Sequence, residues 1–222
     1  MKFEHTQVFN FEGAFRGMRN PMNSWDRSDS LWHIPVYFVY DEPVEYYDQV
    51  GPEDLKLAKR LILGGSEHRK FLRQIFVSVD ITAPLYWWKE ADTYKVGTVA
   101  NSCSTMHKLA STPITMECFE LDDYRKDIVD VSGFIQLLED MRQAYLKTKD
   151  KAVWKELIRW LPESWLQKRT ITLNYENIRT MVHQRKGHKL TEWQAFIDWA
   201  KTLPYAEELI FYDGEENSNV CK

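Results

Sequence analysis

The chain contains 222 residues, of which 44% are hydrophobic and 28% are charged, a balance that is typical of a globular protein with a packed core. Its formal net charge of −4 disfavours DNA or RNA as a partner, because nucleic-acid-binding proteins need basic surfaces. No apolar stretch approaches the roughly 20 residues of a membrane span, and Met1–His5 lacks the features of a signal peptide, so we expect a cytoplasmic protein without membrane contact.

The three cysteines, Cys103, Cys118 and Cys221, are widely separated along the chain. They form neither a CxxC pair nor an even set, which are the patterns that indicate zinc sites or disulfide frameworks. We therefore expect free thiols in a reducing compartment and no metal site.

The N-terminal part of the chain carries the strand signals. Thr6–Phe11, Trp32–Val39 and Phe71–Ile81 are apolar or alternate with a period near two, and each predicts a strand. Between the last two, apolar residues at helical spacing follow Pro52, and Gly64-Gly65 ends the predicted helix.

The C-terminal part carries the helix signals. Amphipathic helices are predicted from Ser132 or Gly133 to Leu146, over Ala152–Leu161, over Trp165–Arg185, and from Thr191 to a point before Pro204. We predict one domain over residues 1–222 of the α/β (α+β) class, with a small antiparallel sheet packed against long helices. The acidic, glycine-containing tail of about 213–222 is expected to be frayed.

A row of polar groups lies within the third predicted helix and just after it. Asn177, Arg179, His183, Arg185 and His188 follow one another there, interrupted by apolar residues at helical spacing. Cations and amides on one helix face suit an anionic, hydrogen-bonding ligand such as a nucleotide. The alternative is a solvated basic helix face.

A second polar stretch, Asn101-Ser102-Cys103-Ser104-Thr105, contains small side chains only. Its hydroxyl and amide groups are of the kind that surround a bound anion. The alternative is that a serine or threonine of this stretch caps a helix.

Four short motifs, in this order along the chain, resemble signature segments of the flavin-dependent thymidylate synthases. They are Glu67-His68-x-x-Phe71, Asn101-x-x-Ser104, Leu161-Pro162, and Asn177-x-Arg179 with His183 further along the same helix. The resemblance covers most of the chain and implies the fold of the thymidylate synthase-complementing proteins. It also implies a homotetramer whose sites are built between subunits.

The same resemblance implies roles for individual residues. His68, Asn177, His183 and His188 would contact a flavin, FAD, whereas the substrate-binding residues would be Asn101, Ser102, Ser104, Arg179 and Arg185. The implied reaction is methylation of a dUMP-like pyrimidine deoxynucleotide, with methylene tetrahydrofolate supplying the carbon and reduced flavin the hydride. Such a mechanism uses the cofactor for redox chemistry and the protein for orientation.

One family motif, Arg-His-Arg, is absent. Depending on the alignment register, its place holds Trp88-Lys89-Glu90 or Tyr94-Lys95-Val96, and Met106 replaces the last arginine of the neighbouring motif. Lysine does not reproduce the bidentate contacts of a guanidinium with phosphate. Three hypotheses follow: a flavoprotein methyltransferase, a non-catalytic nucleotide-binding sensor or sequestering protein on the same scaffold, and a structural protein that retains only a remnant of the site.

Overall fold

The computed structural model describes residues 1–36 and 45–214. The strands are β1 (Lys2–Phe9), β2 (Leu31–Val36), β3 (Glu45–Gln49), β4 (Phe76–Pro84), β5 (Val99–Ser102) and β6 (Leu166–Asn174). The α-helices are α1 (Phe11–Arg19), α2 (Pro52–Leu63), α3 (Leu85–Ala91), α4 (Thr105–Lys108), α5 (Ser132–Thr148), α6 (Lys151–Arg159), α7 (Tyr175–Arg185), α8 (Thr191–Lys201) and α9 (Ala206–Leu209). Short 3-10 helices cover Asn20–Met22, Trp25–Arg27, Lys70–Gln74, Asp92–Tyr94, Leu109–Ser111 and Met116–Cys118.

The chain divides into two compact units. The first consists of Met1–Thr6 and Val79–Ile171, and the second of Gln7–Ser78 and the chain from Thr172 onward. A four-stranded sheet has the order β1-β4-β6-β5, and β2 and β3 form a separate antiparallel pair. The mixed helix and sheet class predicted from the sequence is confirmed. That the two units fold as one domain stays a prediction.

Strands β4 and β6 run antiparallel. At one end the Tyr175 amide donates to the Ile75 carbonyl, and at the other the Leu85 amide donates to the Trp165 carbonyl. The start of β4 thus lies beside the end of β6, and the end of β4 lies beside the start of β6, which is the arrangement of an antiparallel ladder. The prediction of a small antiparallel sheet is therefore confirmed, but β2, from the predicted strand Trp32–Val39, belongs to the separate pair with β3 and not to this sheet.

The core of the first unit lies beneath helices α5 and α6. Apolar side chains at helical spacing on α5 and α6 are buried together with residues from the preceding loop, namely Leu109, Ile114, Phe119, Ile135, Leu138 and Leu157. Beside this cluster, Glu139 accepts from Arg142 through both oxygens at 2.6 and 2.7 Å. A buried guanidinium needs such a partner because an unpaired charge is costly away from water.

The core of the second unit is aromatic. Helix α1 buries Phe11, Ala14, Phe15 and Met18, a spacing of three or four residues that places them on one face. Helices α7 and α8 contribute further buried residues, including Tyr175, Ile178, Trp193 and Phe196. The Tyr175 hydroxyl donates to the Pro204 carbonyl at 2.7 Å, and burial raises the pKa of this phenol.

The predicted helix Trp165–Arg185 is wrong in its first half. Residues Leu166–Asn174 form strand β6, and the helix begins only at Tyr175. Isoleucine and threonine alternate in Thr170–Thr172, which favours a strand, and Asn174 then starts the helix as its cap.

Among the described residues, no helix combines the length and the apolar character that crossing a bilayer requires.

The predicted strands are shifted rather than absent. Strand β1 ends at Phe9, before a left-handed Asn10, so Phe11 belongs to a helix instead of the predicted strand. Lys70–Gln74 forms a 3-10 helix in which adjacent Phe71 and Leu72 are both buried, whereas in a strand they would point to opposite faces, and β4 begins at Phe76. Of the predicted strand Trp32–Val39, residues 37–39 lie outside the described residues. Helices α2, α5, α6 and α8 lie where the sequence predicts them.

Candidate functional site

Helix α7 carries most of the predicted site residues, and its start is fixed by a reciprocal cap. The Asn174 side chain accepts from the Asn177 amide at 3.0 Å, and the Asn177 side chain accepts from the Asn174 amide at 3.2 Å. Such a capping box satisfies two of the amides that a helix start leaves without partners. The side-chain oxygen of Asn177, a predicted flavin contact, is thus engaged in the helix cap.

Arg179 is buried on this helix and forms hydrogen bonds with the C-terminal part of the second unit. Its Nη1 donates to the Ile210 carbonyl and its Nη2 to Asp213 Oδ1, both at 2.7 Å. Burial lowers the pKa of the Arg179 guanidinium, whereas the ion pair with Asp213 opposes this effect. The guanidinium remains a cation because its ordinary pKa lies far above neutrality.

His183, one turn further along α7, contacts the same two partners. Its Nε2 lies 2.9 Å from the Ile210 carbonyl oxygen, and its Nδ1 lies 3.2 Å from Asp213 Oδ2. Both partners accept hydrogen bonds only, so the ring satisfies both contacts when each nitrogen carries a hydrogen. Arg179 and His183 therefore form a planar pair of donors, which we call the Arg179–His183 pair, and it holds the Asp213 carboxylate.

Arg185 and His188 lie together at a different aromatic residue. The Arg185 guanidinium is 4.8 Å from the centre of the Trp193 ring, and the His188 ring meets the same indole edge-on at 6.3 Å. His188 Nδ1 also accepts from the Leu190 amide at 3.2 Å. The polar row predicted from the sequence is thus divided into two clusters, one around Asp213 and one around the buried Trp193.

The second polar stretch belongs to the first unit. Asn101 and Ser102 are exposed on the edge strand β5, and Ser104 caps α4, accepting from the His107 amide at 3.1 Å. The capping alternative is therefore what the structure shows for Ser104. A site shared by these residues and those of α7 stays a prediction.

His68 is exposed and belongs to the second unit. Its neighbour Arg69 donates through Nε to both carboxylate oxygens of Glu176, at 2.9 and 3.0 Å. This ion pair fixes the segment around His68 against the first turn of α7. His68 also lines a cavity, together with Arg27 and Arg60.

Sequence reasoning missed Asp213 and Ile210, the partners of the Arg179–His183 pair. The sequence predicts that Asp213 begins a frayed tail, but its carboxylate lies 2.7 Å from Arg179 Nη2 and 3.2 Å from His183 Nδ1. Residues 215–222 lie outside the described residues. No local pattern marks Asp213, because its partners lie about 30 residues earlier in the chain and meet it only in the folded structure.

Comparison with known proteins supports the fold. No protein-family model and no curated protein sequence matches the chain. Two solved structures of similar fold are both of the flavin-dependent thymidylate synthase ThyX from Helicobacter pylori, with FAD and dUMP. They are 16% and 17% identical to the chain, with TM-scores of 0.69 and 0.68, and each match covers 96% of this chain and 98% of the other. The chain has the ThyX fold, as its motifs predict.

Proposed function

We propose that this protein binds a nucleotide, and that the Arg179–His183 pair holds an anionic group of that nucleotide. The observation that carries the proposal is the carboxylate of Asp213 held between a guanidinium and an imidazole. A guanidinium and an imidazole within hydrogen-bond distance of a carboxylate can make similar charge-assisted contacts with a phosphate. Asp213 occupies the pair until the ligand replaces it.

The ligands of the two ThyX structures, FAD and dUMP, are the first candidates. The donors of α7 fit the phosphate or carbonyl oxygens of either molecule, because guanidinium and imidazole groups donate to both kinds of acceptor. His68, Asn177, His183 and His188 would hold FAD, which supplies redox chemistry when it is bound. Arg179 and Arg185, with Asn101, Ser102 and Ser104, would hold the substrate nucleotide.

We favour a non-catalytic role, as a sensor or sequestering protein. The guanidinium groups of the Arg-His-Arg motif are missing at both candidate places, and Met106 presents an apolar, half-exposed side chain where the family has an arginine. Losing a charge-assisted hydrogen bond costs about 1.5–3 kcal/mol, so the loss of several weakens substrate and cofactor binding together. A protein that binds one nucleotide needs fewer such contacts than an enzyme that aligns three reactants.

The second candidate is the family reaction, methylation of a dUMP-like nucleotide with methylene tetrahydrofolate and reduced flavin. It is favoured by the extent of the fold match, which spans nearly the whole of both chains. This candidate includes the cytoplasmic homotetramer that the resemblance implies. Light scattering tests the assembly, and the absorbance spectrum of the purified protein tests for flavin.

Calorimetry with dUMP tests the proposed function. We expect wild-type protein to bind dUMP, and Arg179→Lys to bind it at least about tenfold more weakly, because lysine lacks the planar fork. Arg125→Lys, on an exposed ion pair of the first unit, is the control and keeps wild-type affinity. Equal affinity in all three proteins, or no binding by any, would contradict the proposal. Methylation of dUMP by the flavin-loaded protein would establish the second candidate.

A further inference from the structure

The second unit contains a cavity of about 1130 Å³ that the sequence does not predict. Its walls are the end of α1, the segment Asn20–Arg27, one side of α2 and the segment Glu67–Gln74. Small-molecule sites commonly measure about 300–1,000 Å³, so this space accommodates a ligand of nucleotide size. All of its walls belong to one unit, and none of them comes from α7.

The cavity lining concentrates positive charge in a chain that is acidic as a whole. It includes five Lys and Arg side chains but three Asp and Glu side chains. Lys56 and Lys70 have acidic neighbours at 3.9 and 3.2 Å. Within residues 1–36 and 45–214, the side chains of Arg27 and Arg60 have no ion-pair or hydrogen-bond partner, and both are exposed. Two guanidinium groups are therefore available for an anion.

The segment that carries Arg27 is fixed by a buried polar network. Asp54 accepts from Arg19 Nε, Ser28 Oγ and Ser30 Oγ, each at 2.6 Å. Burial by itself would raise the pKa of Asp54, but these three donors outweigh it and lower the pKa. Both carboxylate oxygens are thus hydrogen-bonded, and the residues directly after Arg27 are held to α2.

Further contacts hold the same segment from both sides. Arg19 Nη1 donates to the Ser24 carbonyl at 3.2 Å, and the Asp29 carboxylate accepts from the Glu53 and Asp54 amides at the start of α2. A side chain at Gly51 would overlap Asp29, so this close approach requires glycine. Arg27 therefore extends from a rigid support, and rigid support lowers the entropy cost of binding.

We propose that this cavity is a second binding site, for a small molecule that carries adjacent phosphate groups. Arg27 and Arg60 contact the phosphates from two different elements, since a guanidinium binds a phosphate through two parallel hydrogen bonds. Met18, Leu57, Leu61 and Phe71 line the same space and contact an apolar or flat part of the ligand. Arg27 and Arg60 take no part in the proposed function at α7, although His68, which is proposed there as an FAD contact, also lines this cavity.

Calorimetry with inorganic pyrophosphate tests the site, because this probe presents two phosphates and no base. We expect the wild-type protein to bind pyrophosphate, and Arg27→Gln and Arg60→Gln each to weaken binding at least about tenfold. Both side chains are exposed, so both variants should fold, and circular dichroism checks this. Lys155→Gln makes the same change in charge on an exposed position of α6 and should leave the affinity unchanged.

Two results would overturn the proposal. One is the absence of pyrophosphate binding by the wild-type protein. The other is wild-type affinity in both arginine variants, with a loss instead in Arg179→Lys, which would assign the bound pyrophosphate to α7. Since dUMP binding is measured separately on the wild-type protein and on Arg179→Lys, failure of the cavity site and failure of the α7 site give different patterns.

Discussion

Arg179 and Asp213 form an ion pair in which one side chain is buried and the other is exposed. Their side chains are 8% and 63% exposed, respectively, although Arg179 Nη2 and Asp213 Oδ1 are 2.7 Å apart. Moving Asp213 into water is therefore inexpensive, whereas Arg179 always needs an acceptor at this place. Arg179 is therefore a fixed cation, and Asp213 is an anion that another anion can replace.

Removing the negative charge of Asp213 should strengthen nucleotide binding. We expect Asp213→Asn to bind dUMP several-fold more tightly than wild type, because the ligand phosphate no longer competes with a carboxylate. Calorimetry measures the effect, and Asp198→Asn, an exposed partner of Lys201, is the control. If Asp213 serves only to hold the chain, the variant will melt at a lower temperature with no gain in affinity.

His68→Ala separates a ligand contact from a structural role. The ring is exposed, so its loss should change the free energy of unfolding by less than about 0.5 kcal/mol. We expect lower FAD occupancy, measured as the ratio of flavin to protein absorbance after reconstitution. A lower melting temperature with unchanged flavin binding would remove His68 from the site.

Glu139→Gln should destabilise the first unit. The carboxylate accepts from Arg142, from Gln143 and from the Ile114 amide, and the Arg142 guanidinium is buried. A neutral amide leaves that cation poorly compensated, so we expect a loss of about 2–3 kcal/mol in urea unfolding. Asp140→Asn, next to it on the exposed side of α5, should cost much less. Equal losses in the two variants would contradict this reasoning.

Acid should abolish the contribution of Glu139. Its hydrogen bonds from Arg142 lower the pKa of this carboxyl from 4.5 to about 2, against the opposing effect of burial. Because the pKa of Glu139 is lower in the folded state than in the unfolded state, this carboxylate stabilises the fold at pH values above its unfolded pKa. The stabilisation is lost as the pH falls from about 4.5 towards 2. The difference in stability between wild type and Glu139→Gln should therefore shrink over that range. A constant difference down to pH 2 would refute the assignment.

Asp54→Asn should disturb both the stability and the pyrophosphate site of the second unit. Arg19 is buried against Asp54, so losing this charge should cost about 3 kcal/mol, and the segment that carries Arg27 should loosen. We expect lower melting temperature and weaker pyrophosphate binding together. Unchanged pyrophosphate affinity in the folded variant would show that the network does not position Arg27.

The sequence predicts the helices better than the ends of the strands. Helices α2 and α8 are amphipathic, and local residues mark where they begin and end, so a short window contains the information. Strand β6 lies directly before α7 with no glycine or proline between them, and Leu166 and Leu173, like Ile171 and Ile178, are seven residues apart, a spacing that also fits a helix. The pattern alone therefore does not separate the strand from the helix.

The candidate site is less predictable because its contacts are distant along the chain. The motifs identify Arg179 and His183, yet nothing near Asp213 indicates that it meets them. The cavity cations Arg27 and Arg60 are likewise about 30 residues apart, on a short 3-10 helix and on α2, without any shared motif. Periodicity reports which face of an element is buried, but not which surface side chains converge.

The division of the chain into two units also limits how the protein can be dissected. Each unit is assembled from two separate stretches of sequence, because β1, β4 and β6 all pass from one unit into the other. A fragment that ends at Ser78 lacks α7, α8 and α9, and a fragment that begins at Val79 lacks β1. Neither unit is a continuous module, so a gene that exchanged one of them in a single recombination event would encode an incomplete core.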